Sequence, residues 1–156
     1  MNHNRRTLLK GSLAAGAVGA AVSAGLLTPK AVMAAWAKDA FEAKEVGAAM
    51  TGSMGSADAT ASDKIQLKAP DIAENGAVVP ITVTSNIDGT TSMSILVANN
   101  NTPLTSTYEL GPNTEAYIST RVKMGKTSDV IAVAKAGGKL YSAKKEVKVT
   151  IGGCGG

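Results

Sequence analysis

Cysteine, histidine, phenylalanine and tryptophan each occur once in this 156-residue chain, and aromatic residues make up 3% of it. The absences narrow the chemistry quickly. His3 lies in an amino-terminal stretch that reads as a removable leader, so the rest of the chain has no histidine. A Ser-His-Asp triad or a Cys-His pair then cannot form within one chain. Zinc sites need several Cys or His ligands, and these are missing. No C-x-x-C-H run offers haem attachment, and no G-x-x-x-x-G-K-[ST] or G-x-G-x-x-G precedes a helix pattern. A single cysteine makes no internal disulfide, so any core must hold without one.

Cationic excess is also missing once the leader is set aside. The whole chain has 16 basic and 12 acidic residues. Arg5, Arg6, Lys10 and Lys30 fall in residues 1–37, which carry no acid, so twelve of each sign remain and the net charge is zero. The electrostatic basis for nucleic-acid binding disappears with them, and aromatics for base stacking are scarce. A neutral surface gives little colloidal repulsion, which suits a subunit of a complex.

Residues 1–37 read as an export signal. A basic region is followed by an apolar stretch from Gly11 to Leu27, and Ala35-Trp36-Ala37 fits a small-x-small cleavage site. The stretch is glycine-rich and at the short limit for a spanning helix, which argues against a retained membrane anchor. Asn4-Arg5-Arg6-Thr7-Leu8-Leu9-Lys10 resembles the twin-arginine motif, with Arg5 and Arg6 as the pair. That route carries folded proteins, so the expectation is a periplasmic chain that folds and assembles before export. After removal of the signal no membrane association is expected.

The remainder divides into three parts. Residues 38–63 are expected to hold a short helix and a flexible link. The helix reads from Asp39, as a cap, to about Met50, with Phe41, Val46 and Ala49 as a modest apolar face. Thr51 to Ser62 is rich in Gly, Ser, Ala and Thr and shows no packing pattern. From 64 to 151 the pattern is β. Ile65 and Leu67, then Val79, Ile81 and Val83, then Met93, Ile95 and Val97 alternate with polar residues. Further runs follow at Leu104–Leu110, Ala116–Met124, Val130–Ala136, Leu140–Ala143 and Glu146–Ile151. Val130–Ala136 is continuous and apolar, as a central strand is. Asn75-Gly76, Asp88-Gly89, Gly111-Pro112-Asn113, Gly125-Lys126 and Gly137-Gly138 separate the runs, and the last fits a two-residue hairpin. The expectation is an all-β, immunoglobulin-like sandwich of about seven strands with a short helix before it. Pro80, inside a strand pattern, suggests an edge or a bulge. A partner chain would cover an open edge.

Residues 152–156, Gly152-Gly153-Cys154-Gly155-Gly156, form the third part. Glycine restricts the backbone least, so this is expected to be a thin, flexible arm anchored by the last strand. Three residues past Ile151, the Cys154 thiol reaches roughly 10 Å beyond the sheet end. No Lys, Arg or His lies on the arm to lower the thiol pKa; the nearest cation in sequence is Lys148. An unactivated thiol on an arm suits a carrier whose cargo is processed by other proteins. The competing readings are an assembly module whose cysteine only crosslinks subunits, and a ligand-binding sandwich with an idle tail.

Three features together resemble the SoxY family of sulfur carriers. They are the terminal Gly-Gly-Cys-Gly-Gly, the twin-arginine-like leader and the segment Leu67–Val83, which is similar to that family's first strand region. The resemblance implies a non-enzymatic carrier in thiosulfate oxidation, with no cofactor and no metal. Cys154 would be the covalent sulfur attachment site, and Gly152, Gly153, Gly155 and Gly156 the arm. The implied partners are a SoxZ-like β-sandwich subunit in a heterodimer, and SoxAX- and SoxB-type enzymes in transient contact; a SoxCD-type enzyme is left open.

Overall fold

The computed structural model describes residues 37–150. Two short helices, α1 (Lys38–Glu42) and α2 (Val46–Met54), precede nine strands. Seven of these form the body of the fold: β2 (Ile65–Lys68), β4 (Val79–Ser85), β5 (Thr90–Val97), β6 (Leu104–Glu109), β7 (Tyr117–Val122), β8 (Ser128–Ala136) and β9 (Lys139–Val149). Two are short edge pieces, β1 (Ala59–Ala61) and β3 (Ile72–Ala73). The larger sheet runs β1-β9-β8-β5-β6, with β3 also on β9, and the smaller runs β2-β4-β7. This is the expected immunoglobulin-like sandwich preceded by a helical segment.

Alternation builds the inner core. Val79, Ile81 and Val83 of β4 and Ile118 and Val122 of β7 meet Met93, Ile95 and Val97 of β5 and Val130, Ala132 and Ala134 of β8. Residues between them on β4 and β7 point outward, as period-2 geometry requires. The β8–β9 hairpin turns on Gly137 and Gly138, whose φ of 57° and 76° match the left-handed pair of a type I′ turn.

The larger sheet differs from the smaller in being covered on both faces. Leu96, Leu104, Val133 and Leu140 form a second core with Ala40, Ala49, Met50 and Met54 of the helices, against which Phe41 and Val46 pack. This explains why Ser92 to Val97 is buried at every position. It also corrects the expected single helix with a flexible link. The helical segment breaks at Ala43–Glu45, resumes and runs through Met54. Thr51–Met54 has weak intrinsic helix preference, but Met54 is buried and draws the last turn down. Lys135 Nζ donates to the Met54 carbonyl at 3.1 Å, and Gly55 closes the helix at φ 88°. Ala59–Ala61 then pairs in parallel with Leu140–Ser142. Asp39 is not the cap; Ala37 holds that position without a side-chain bond, and Asp39 lies in the first turn.

The two expected runs at 140–143 and 146–151 are one strand, β9, as far as Val149. Lys145 interrupted the apolar alternation between Ala143 and Val147. Its amine is taken up by the Ala69 carbonyl at 2.6 Å and by Asp71 at 2.9 Å, so a cation holds a strand position that would otherwise be apolar. Pro80 lies on β4, the central strand of the smaller sheet, and not on an edge strand. β2 pairs only with Thr82–Ser85. Ser85 N–H donates to Ala116 O, so along β4 the odd-numbered N–H groups face β7. Pro80 therefore presents its missing donor on the other side, beyond the end of β2, where no ladder bond is lost.

Candidate functional site: the root of the carboxy-terminal arm

The carboxy-terminal end of β9 is held from both sides. On one side β8 pairs through Ser128 with Val147, and the Thr127 hydroxyl takes the Val149 N–H at 3.0 Å. On the other side β3 runs parallel to it, with Ile72 opposite Lys148 and Ala73 opposite Val149. Lys148 N–H donates to Asp71 O at 2.9 Å, and Thr150 N–H to Ala73 O at 3.1 Å. Main-chain bonding thus continues to the last described residue.

The segment that clamps β9 is itself tied down. The Lys145 amine bonds Asp71 and the Ala69 carbonyl. That hydrogen bond first, and the Lys145 charge second, lower the Asp71 pKa. On the opposite flank the β7–β8 loop is fixed by Asn100, whose amide donates to Lys123 O at 2.7 Å and accepts from Gly125 N–H at 3.1 Å. Met124 N–H donates to Gly76 O at 2.6 Å. Lys123, Lys126 and Lys148 are exposed at this end of the sandwich, and among the described residues none of them joins an ion pair.

Cys154, Gly152, Gly153, Gly155 and Gly156 lie outside the described residues, as do Arg5, Arg6 and Ile151. The described chain ends at Thr150, four residues before Cys154. Sequence reasoning did not find β3, the Asp71–Lys145 pair or the Thr127 contact. β3 is too short to show periodicity. The one visible signal was the polar Lys144-Lys145 break inside an apolar alternation.

The architecture defines an immunoglobulin-like β-sandwich whose last strand is held from both sides. The family model "Sulfur oxidation protein SoxY" matches residues 50–154, a span that takes in the sandwich and Cys154. The chain belongs to the SoxY family of sulfur-oxidation proteins. It is similar to the solved structure of the sulfur carrier protein SoxY from Chlorobium limicola f thiosulfatophilum, with 45% identity and a TM-score of 0.61. That likeness covers 66% of this chain and 94% of the other. A superoxide reductase (neelaredoxin) from Ignicoccus hospitalis shares the fold alone, with a TM-score of 0.50 and 15% identity over 56% of this chain and 80% of that one. No curated protein matches the chain.

Proposed function

We propose that this chain is a covalent carrier of sulfur intermediates in thiosulfate oxidation, with Cys154 as the attachment point. The observation that carries the reading is the clamped end of β9, bonded on the β8 side as far as Val149 and on the β3 side as far as Thr150, and followed after three residues by the chain's sole cysteine within four glycines. Membership of the SoxY family, and the sulfur-carrier name of the 45%-identical Chlorobium protein, support a sulfur cargo.

The chemistry is a tethered relay. The Cys154 thiolate and thiosulfate lose two electrons to an external haem enzyme of the SoxAX type and join as Cys–S–S–SO3−. A SoxB-type hydrolase adds water at the terminal sulfur and releases sulfate, leaving the persulfide. A SoxCD-type dehydrogenase, where present, oxidises the remaining sulfur. The carrier contributes position and reach. Four extended residues beyond Thr150 span at most about 14 Å. Holding the cargo on one chain raises its effective concentration at each enzyme in turn. The surrounding assembly is a heterodimer with a SoxZ-like subunit, exported folded to the periplasm by the twin-arginine leader around Arg5 and Arg6.

Intact-mass spectrometry of the chain from cells grown on thiosulfate tests this. Sulfur adducts on Cys154 are expected, and Cys154→Ser should abolish thiosulfate oxidation. Cys154→Ser cells that still oxidise thiosulfate, with the wild-type thiol found only free or as a disulfide dimer, support the crosslinking alternative instead.

A further inference from the structure

The larger sheet outruns the smaller at one side of the sandwich. Four long strands, β9-β8-β5-β6, face three, β2-β4-β7. A cleft of about 350 Å³ opens between edge strand β6 and edge strand β7. Its lining is polar and one-sided in charge. Asn100, Thr102, Ser106, Thr120, Arg121 and Lys123 contribute to it, and among the described residues no Asp or Glu does. Arg121 is the only arginine outside the leader. Both cations are exposed and form no ion pair among the described residues.

Three details make this a recess with spare donors. A register shift between Ile95 and Leu96 lets two residues of β6 oppose one of β5 and sets Ser106 opposite the inner-facing Ile95. Among the described residues the Ser106 hydroxyl is buried there with no hydrogen-bond partner, a state that buried polar groups rarely keep. Second, the β4–β7 ladder turns the N–H groups of Thr120 and Val122 toward β4, so alternation leaves those of Arg121 and Lys123 facing the free edge. Third, the Asn100 side chain donates to Lys123 O and accepts from Gly125 N–H, which fixes the β7 end of the cleft.

We propose that the cleft between β6 and β7 binds a tetrahedral sulfur oxyanion. A planar guanidinium, an ammonium, edge N–H groups and hydroxyls with no competing carboxylate are the donor set that such an anion takes. The choice of a sulfur oxyanion rests on the carrier reading above. The ligand is either free thiosulfate or sulfate, or the sulfonate terminus of cargo carried on Cys154.

Amide NMR titration of the exported chain tests this. It uses the Cys154→Ser variant, which cannot carry cargo, with sodium thiosulfate and sodium sulfate as probes. Saturable shifts are expected at Ser106 and at residues 120–123. Arg121→Gln should weaken binding about tenfold or more, Arg121→Lys less so, with the remaining spectrum unchanged. Lys126→Gln removes the same charge outside the cleft and should leave the affinity unaltered. An absence of saturable shifts overturns the proposal, and so does equal weakening by Lys126→Gln. The two sources separate when wild-type Cys154 is loaded with tetrathionate. The thiolate displaces thiosulfate and leaves Cys–S–S–SO3−. Concentration-independent shifts at the same amides then identify tethered cargo, whereas shifts only on adding free anion identify a free-ligand site. The carrier reading fails separately, through the oxidation phenotype of Cys154→Ser, without touching the titration.

Discussion

Gly76 has no side chain because two neighbours occupy the space. A Cβ there would run into the Met124 carbonyl oxygen and lie 2.9 Å from Val149 Cγ1. The backbone of Gly76 also accepts the Met124 N–H. Gly76→Ala should therefore destabilise the fold by about 1–3 kcal/mol through overpacking, measured by urea unfolding. Because Val149 is the last residue of β9, protection of the Thr150 amide against hydrogen exchange should fall with it. Asp71 gives a pH signature at the same place. Its pKa is lowered below the ordinary 3.8 by Lys145. The carboxylate's contribution is thus complete above about pH 4 and is lost as the pH falls through the lowered value. Protection factors of the Lys148 and Thr150 amides should drop over that acid range. Asp71→Asn should show the low values at neutral pH as well. An unchanged pH profile in Asp71→Asn would show that Lys145 acts on Ala69 alone.

At the scale of elements, the helices act as a lid on the outer face of the larger sheet. Removing residues 37–56 would uncover Leu96, Leu104, Val133 and Leu140, which are all buried in the complete domain. The truncated domain should bind a hydrophobic dye and self-associate, as contiguous apolar patches do; a dye-negative monomer would refute the lid. A milder probe is Lys135→Met, which strips the amine from the Met54 carbonyl at the end of α2. The expected loss is about 0.5–1.5 kcal/mol, read as a lowered urea midpoint. The β8–β9 hairpin was legible in advance, since Gly137-Gly138 between two apolar runs has few other readings. The second helix was half legible. Ala48, Ala49 and Met50 announce it, but Thr51–Met54 is helical because Met54 has a core to enter.

At the scale of the molecule, besides the short pieces β1 and β3, the sandwich leaves β2, β6 and β7 as sheet edges with one side unpaired among the described residues. Charge outside residues 1–37 sums to zero, so repulsion does little to keep such edges apart. The proposed SoxZ-like partner would cover one such edge, away from the β6–β7 cleft. Light scattering of the chain without residues 1–37, co-expressed with its genomic neighbours, should show a heterodimer. A stable monomer with no gain in mass on co-expression would count against that partner.

The sequence alone determined the leader-like pattern of residues 1–37, the single thiol and its glycine setting, the absence of histidine beyond that stretch and of any internal disulfide, and the strands that alternate. Those properties are inventory or period, and both are written along the chain. The tertiary structure decided the rest. It placed a helical layer on one sheet, gave β9 a parallel clamp at β3, and let Pro80 sit in a central strand beyond the end of its neighbour. It also opened a cationic cleft where a wide sheet meets a narrow one. Each of these depends on residues tens of positions apart meeting in space. A two-residue strand, a lysine in an apolar row and a lone arginine have no local pattern to announce them.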